Sequence, residues 1–172
     1  MEKEKNIQDV LQVVDRLRDK IPNIRYWVIG DGDYLDELKN IVKRLKLENI
    51  VTFVGTLTQR KVADKIQDAD LFVLLSKRNA AESFGRVYVE SAALGIPSIG
   101  YHAEGVTVAV DHGVTGYLCE EDDVVGVESA VYKLYKDNSL MEEMKSNTLS
   151  HYRSKFTLKI VGEKFVEALN NA

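Results

Sequence analysis

The chain has 172 residues, 45% of them hydrophobic and 29% charged, which suits one soluble globular domain with a single core. Its net charge of −4 excludes the broad basic face that a nucleic-acid partner needs. Cys119, the one cysteine, has no internal disulfide partner, so a reducing, cytoplasmic setting is expected.

The opening "MEKEKNIQDV" is charged and has no apolar core, so it is not read as a signal peptide. No apolar run approaches the ~18 residues needed to span a bilayer. "IQDVLQVVDRL" carries Ile7, Val10, Leu11, Val14 and Leu17 at helical spacing, with Pro22 as its stop. "RYWVIG" reads as a buried strand, and "DYLDELKNIVKRL" as a helix with acids in its first turn. "IVTFVG" is a second strand, "TQRKVADKIQDA" a helix capped by Thr58, and "DLFVLLS" a third strand. "FGRVYVESAAL" is a helix ended by Gly95 and Pro97. "PSIGY" is a fourth strand, and "GYLC", where Cys119 is a small core residue, a fifth. Helical stretches at about 123–137, 139–153 and 157–170 close the chain.

Strands alternating with helices predict an α/β fold, a doubly wound parallel sheet covered on both faces. Ligands of such sheets sit beyond the carboxyl ends of the strands. That rim collects the loops starting at Gly30, Gly55, Ser76 and Tyr101. The third of these loops carries "ESFGRVYVE", residues 82 to 90. Phe84 and Gly85 open the helix, whose first amides have no internal partners and suit a phosphate. Glu90 lies about one and a half turns into that helix, among Val87, Val89, Ala92 and Ala93. A carboxylate there is costly unless it faces a cleft or a partner. Ribose hydroxyls are one such partner. An Arg86–Glu90 ion pair on a solvated face is the other reading.

"ESFG…E", followed by "ALGIPSIG" and "DHGVTGYL", resembles the nucleotide-sugar-binding half of retaining GT-B glycosyltransferases, the group 1, glycogen-synthase-like family. "VIGDGDYLDEL", "NIVTFVGTL" and "ADLFVLLS" extend the resemblance from about residue 5 to 160. It implies a Rossmann-like C-terminal domain whose parent moves a sugar from a nucleotide-sugar donor to an acceptor hydroxyl. Glu82 matches the family's first glutamate, on the donor sugar and nearest the chemistry. Ser83, Phe84 and Gly85 match the loop that meets sugar and diphosphate, with Arg86 beside them. Glu90 matches the ribose-binding glutamate, Leu57 the position whose backbone meets the base, and Lys5 a phosphate-binding lysine. The resemblance implies no cofactor and no metal, and leaves room for peripheral membrane contact by the parent enzyme.

Three departures accompany it. The family's phosphate-binding arginine would fall before Met1. Its Gly-Gly and Pro-Glu pairs are replaced by Glu104-Gly105 and Thr107-Val108. Its N-terminal acceptor domain has no counterpart in these residues, so 1–172 is expected to be one domain of a two-domain enzyme. The family's first strand is likewise unmatched, so residues 25–30 and 70–75 should close on each other, leave a gap, or admit another chain. An epimerase or a non-catalytic nucleotide-binding module of the same fold stays open, with a nicotinamide enzyme more distant. "DGD" at 31–33 and "DAD" at 68–70 imitate a metal-binding Asp-x-Asp, but Asp33 is better placed to support a helix start and Asp70 to open a strand. "GDG" lacks the glycines that would complete a dinucleotide fingerprint. His102, His112 and His151 have no ligand spacing.

Overall fold

The computed structural model describes residues 3–77 and 85–170. Five strands and eight helices alternate in those residues: α1 (Ile7–Leu17), β1 (Tyr26–Ile29), α2 (Leu35–Leu45), β2 (Val51–Gly55), α3 (Gln59–Gln67), β3 (Phe72–Leu74), α4 (Arg86–Ala93), β4 (Ser98–Tyr101), α5 (Glu104–Ala109), β5 (Gly116–Cys119), α6 (Val124–Lys136), α7 (Asn138–Lys155) and α8 (Leu158–Asn170). The expected α/β alternation is present, and every strand pairing is parallel.

The single sheet expected from the sequence is instead two half-sheets, ordered β1-β2 and β3-β4-β5. Between them lies a cleft of about 1650 Å³, lined by Tyr26–Ile29 on one side and Leu71–Leu74 on the other. Of the three arrangements open for residues 25–30 and 70–75, the structure adopts the gap. Lys3–Lys5 do not fill it as a strand, since they form one 3-10 turn outside either sheet.

One core nevertheless runs through both halves. Leu11, Val14 and Leu17 of α1 join Val28 of β1, Leu38 of α2, Ile99 of β4 and Leu134 of α6 in one buried cluster. Helices α1, α2 and α6 pack together on one face, while α3, α5 and α7 gather around α4 on the other. That division follows from right-handed crossovers that step in opposite directions along the sheet.

Local chemistry sets the ends of these elements. Asp123 accepts from the Gly126 amide at 2.8 Å and Asp137 from the Leu140 amide at 3.0 Å, capping α6 and α7. Helix α4 closes in a Schellman motif, with Gly95 N–H donating to Ala92 O, Ile96 N–H to Ser91 O, and Gly95 at φ 71°. Thr58 stands at the N-cap of α3 but makes no side-chain cap bond. Tyr34, not Asp33, is the N-cap of α2, and β3 starts two positions after Asp70. Helix α1 ends in a hydrogen-bonded turn, with Lys20 and Ile21 donating to Leu17 O, before Pro22 is reached. Helix α8 buries none of its residues, and Leu158, Phe165 and Leu169 are exposed.

Candidate functional site

The carboxyl rim of the half-sheets gathers the loops anticipated from the sequence. Gly30, at φ 120°, turns the chain out of β1 and donates its N–H to Gly55 O at 2.8 Å, tying the first two loops together. Few residues other than glycine accept that backbone conformation. Lys5, Leu57 and the loop Gly30–Tyr34 all line the cleft. Glu82, Ser83 and Phe84 lie outside the described residues, so the structure neither places nor displaces them.

Gly85 is the N-cap of α4 and, having no side chain, makes no side-chain cap bond of its own. Its smallness has a local cause absent from the sequence reading. A Cβ on Gly85 would come within 2.6 Å of Cδ2 of Tyr88, and one on Gly100 within 2.6 Å of the Tyr88 hydroxyl. Tyr88 is 1% exposed, donates its hydroxyl to Leu74 O, and meets the Phe72 ring edge-on at 5.4 Å. It therefore fixes the start of α4 against β3 and β4. Glu90, one turn beyond Arg86, forms the ion pair that the sequence left open. Arg86 Nε stands 3.4 Å from Glu90 Oε1, with the two side chains 82% and 30% exposed. A pair so open to water contributes little, and the carboxylate keeps exposed surface for another partner.

Further rim features went unread in the sequence. Tyr101, the last residue of β4, donates its hydroxyl to Asp9 Oδ2 at 3.0 Å, which places the first turn of α1 at this edge. Burial raises the Asp9 carboxyl above its usual range, and the Tyr101 hydrogen bond opposes that shift. Asn6 precedes the helix in the left-handed region at φ 48°. Among the described residues its Nδ2 and the Ser76 Oγ are buried without a hydrogen-bond partner, as are Gln8 Oε1 and His151 Nε2. Lys77, next along from Ser76, pairs with Asp122 at 3.1 Å and Glu121 at 3.6 Å, linking the third loop to the segment after β5. The Cys119 thiol at the end of β5 is pushed up to about 11, chiefly by burial, which leaves it an unreactive packing group.

Among the described residues no group of three His, Cys, Asp or Glu side chains converges as a metal site. Asp31 instead accepts from the Gly32 amide at 2.8 Å, and Asp70 lies 4.0 Å from Lys145. His112 accepts from the Leu118 amide through Nδ1 at 3.0 Å. No described helix is long and apolar enough to cross a membrane.

Residues 1–151 match the family model described as Glycosyl transferases group 1. The chain belongs to that family. This group 1 chain is 37% identical over 142 residues to N-acetyl-alpha-D-glucosaminyl L-malate synthase of Bacillus anthracis, covering 83% of itself and 36% of that protein. It is 29% identical to 2-deoxystreptamine N-acetyl-D-glucosaminyltransferase of Niallia circulans, covering 89% of itself and 39% of that protein. The chain thus spans little more than a third of the length of these curated relatives. Among solved structures, HepE of Anabaena in complex with UDP and glucose superposes with a TM-score of 0.87 at 24% identity, over 99% of this chain and 46% of that one. The C-terminal domain of a group 1 glycosyl transferase from Francisella tularensis superposes at 0.80 and 20% identity, over 92% of this chain and 83% of that domain. The group 1 chain therefore has the fold of a GT-B C-terminal half.

Proposed function

We propose that this domain binds the nucleotide-sugar donor of a retaining glycosyltransferase, in which an acceptor hydroxyl displaces a nucleoside diphosphate from the anomeric carbon. The observation that carries the reading is the pair of orphaned polar groups at the rim. Among the described residues Asn6 Nδ2 and Ser76 Oγ are buried without partners, at the edge that also holds the start of α4, where Gly85 lends no side-chain cap. Buried donors ordinarily find an acceptor, and diphosphate oxygens at a helix N-terminus would serve. Glu90, with exposed carboxylate surface beyond Arg86, takes the ribose hydroxyls, and Lys5 and Arg86 add positive charge near the leaving diphosphate. Glu82 takes the donor sugar, with Ser83, Phe84 and Gly85 along sugar and diphosphate and the Leu57 backbone at the base. The domain's contribution is to hold the donor and to stabilise charge building on the leaving group through fixed amides and cations. No metal is required for binding in this reading.

The relatives' matched share, 36% and 39% of their length, supports a two-domain parent whose other half carries the acceptor. The names of three such relatives are those of one sugar transferase and two synthases, one of them a glycogen synthase, which favours transfer over epimerisation. Calorimetric titration with UDP, GDP, ADP and NAD in turn, in the presence of a chelator, tests the proposal. Micromolar binding of one nucleoside diphosphate is expected, and its sugar conjugate should bind through the same residues. Binding of NAD alone, or a strict requirement for magnesium, would overturn it.

A further inference from the structure

Helix α1 starts with the two residue types of a reciprocal helix cap and uses neither as one. Asn6 stands at the N-cap and Asp9 at the third helical position, the two places whose side chains ordinarily cap each other's amides. Asn6 instead sits in the left-handed region at φ 48° and makes no side-chain cap bond. Its backbone N–H donates to Lys3 O at 3.1 Å rather than to Asp9. Its Oδ1 accepts from Gln8 Nε2 at 2.9 Å, which fixes the amide's orientation and leaves Nδ2 as the open donor. Asn6 is 1% exposed, so that donor is buried and, among the described residues, unmatched.

A charged acceptor lies less than one helical turn away, the Asp9 carboxylate, and β4 draws it off. Asp9 Oδ2 accepts from the Tyr101 hydroxyl at 3.0 Å, and Oδ1 from Gln12 Nε2 at 3.4 Å. Tyr101 is fully buried, where its hydroxyl has no water to fall back on and keeps the acceptor it has. Asp122 and Lys77, on the segments after β5 and β3, act on the carboxyl in opposite senses, after burial and the Tyr101 bond. Among the described residues, Tyr101 is thus the group outside α1 that holds this carboxylate by a hydrogen bond.

Resting on the donor-binding reading above, we propose that Tyr101 is a positioning residue for the nucleoside diphosphate. By holding Asp9 against β4 it keeps the Asn6 amide from being satisfied within α1, so that Nδ2 donates to a diphosphate oxygen instead. Tyr101 itself touches no ligand. Without its hydroxyl, a buried carboxylate short of a donor and a buried amide short of an acceptor stand within one turn of each other. They pair, which takes the donor from the ligand. The same movement brings a negative charge toward the place of the diphosphate, where like charges repel.

Calorimetric titration of the 172-residue chain and its variants with UDP, GDP and ADP tests this, at a temperature where melting curves show each variant folded. Tyr101→Phe should weaken whichever of the three the parent chain binds by about 10-fold or more. Removing the competing carboxylate as well, in Tyr101→Phe/Asp9→Ala, should bring the affinity back to within about threefold of the parent. A structural role alone moves stability and leaves the Kd of the folded chain where it was, so it gives no such loss and recovery. Asn6→Gly, suited to the left-handed backbone, should show the same loss, with no further loss when Tyr101→Phe is added. Asp9→Ala alone should bind as the parent does, and with Asn6→Gly it decides the matter if Tyr101→Phe does not fold. Weakened binding by Asp9→Ala would show that the carboxylate supports the ligand, and would overturn the proposal. Unchanged affinity in Tyr101→Phe or Asn6→Gly, or a double variant that does not recover, would overturn it too. Those outcomes leave the donor-binding reading standing, whereas a parent chain that binds none of the three nucleotides removes that reading and this proposal together.

Discussion

Replacing Glu90 by glutamine separates a ligand-binding carboxylate from a surface ion-pair partner. The pair with Arg86 spans 3.4 Å, with Arg86 82% exposed, and pairs of that kind contribute about 0.3–0.5 kcal/mol. Glu90→Gln should therefore lower the melting temperature by no more than about 2 °C, so any larger effect on affinity cannot come from unfolding. A hydrogen bond from a ribose hydroxyl to the carboxylate is worth about 1.5–3 kcal/mol, or about a 10- to 140-fold increase in Kd. Calorimetry should show that loss for the free nucleoside diphosphate and for the nucleotide sugar alike. Glu82→Gln should spare the free diphosphate and weaken only the sugar conjugate. Unchanged affinity of Glu90→Gln for every nucleotide the parent chain binds would leave the Arg86 pair as the whole role of that residue.

Tyr101→Phe removes the hydroxyl that serves the buried Asp9 carboxyl and should cost about 1.5–3 kcal/mol in urea unfolding. Asp9→Asn keeps an acceptor and sheds the buried charge, so it should fall within about 1 kcal/mol of the parent or above it; a large loss would show that the charge itself is needed. Gly85→Ala pushes a methyl into the held Tyr88 ring and should destabilise by about 1–3 kcal/mol, seen as a lower melting temperature; an unchanged value would mean that the ring yields. Burial, with Lys155 next in effect, holds the His151 imidazole below its ordinary 6.5. The unfolded chain then takes up a proton that the folded chain resists, so stability falls as pH drops through about 6.5. His151→Gln should lose less stability than the parent between pH 7 and pH 5.5, and parallel losses would remove His151 as the cause.

Local patterns in the sequence carried most of the elements. Helix α1 runs from Ile7 to Leu17 as its apolar spacing predicts, and β4 from Ser98 to Tyr101. Helix α5 escaped notice because six residues make less than two turns, too short for a period to show. Tyr88 reads in sequence as one more residue of an apolar helix. Its role depends on Gly100 and Leu74, brought together only by the fold. The Asp9–Tyr101 contact joins positions 92 residues apart, and no local rule reaches that far. A faint signal existed, since Asp9 shares its helical face with Val13, which is 3% exposed. The division of the sheet was one of three arrangements that the sequence left open for residues 25–30 and 70–75. Sequence could not decide whether the edges would close, because that depends on whether α1 holds them apart.

Helix α8 has a consequence of its own. Thirteen residues with Gly162 near the middle and no buried side chain sit at the length where an isolated helix is marginal in water, and the glycine costs about 1 kcal/mol more than alanine. Leu158, Val161, Phe165 and Leu169 share one apolar stripe, each at least half exposed. Its helicity is thus set by its surroundings rather than by the domain core, and its amides belong to a separate unit that opens long before the sheet does. Whatever shields that stripe will be recorded as slower exchange along α8, which makes the helix a gauge of its own coverage.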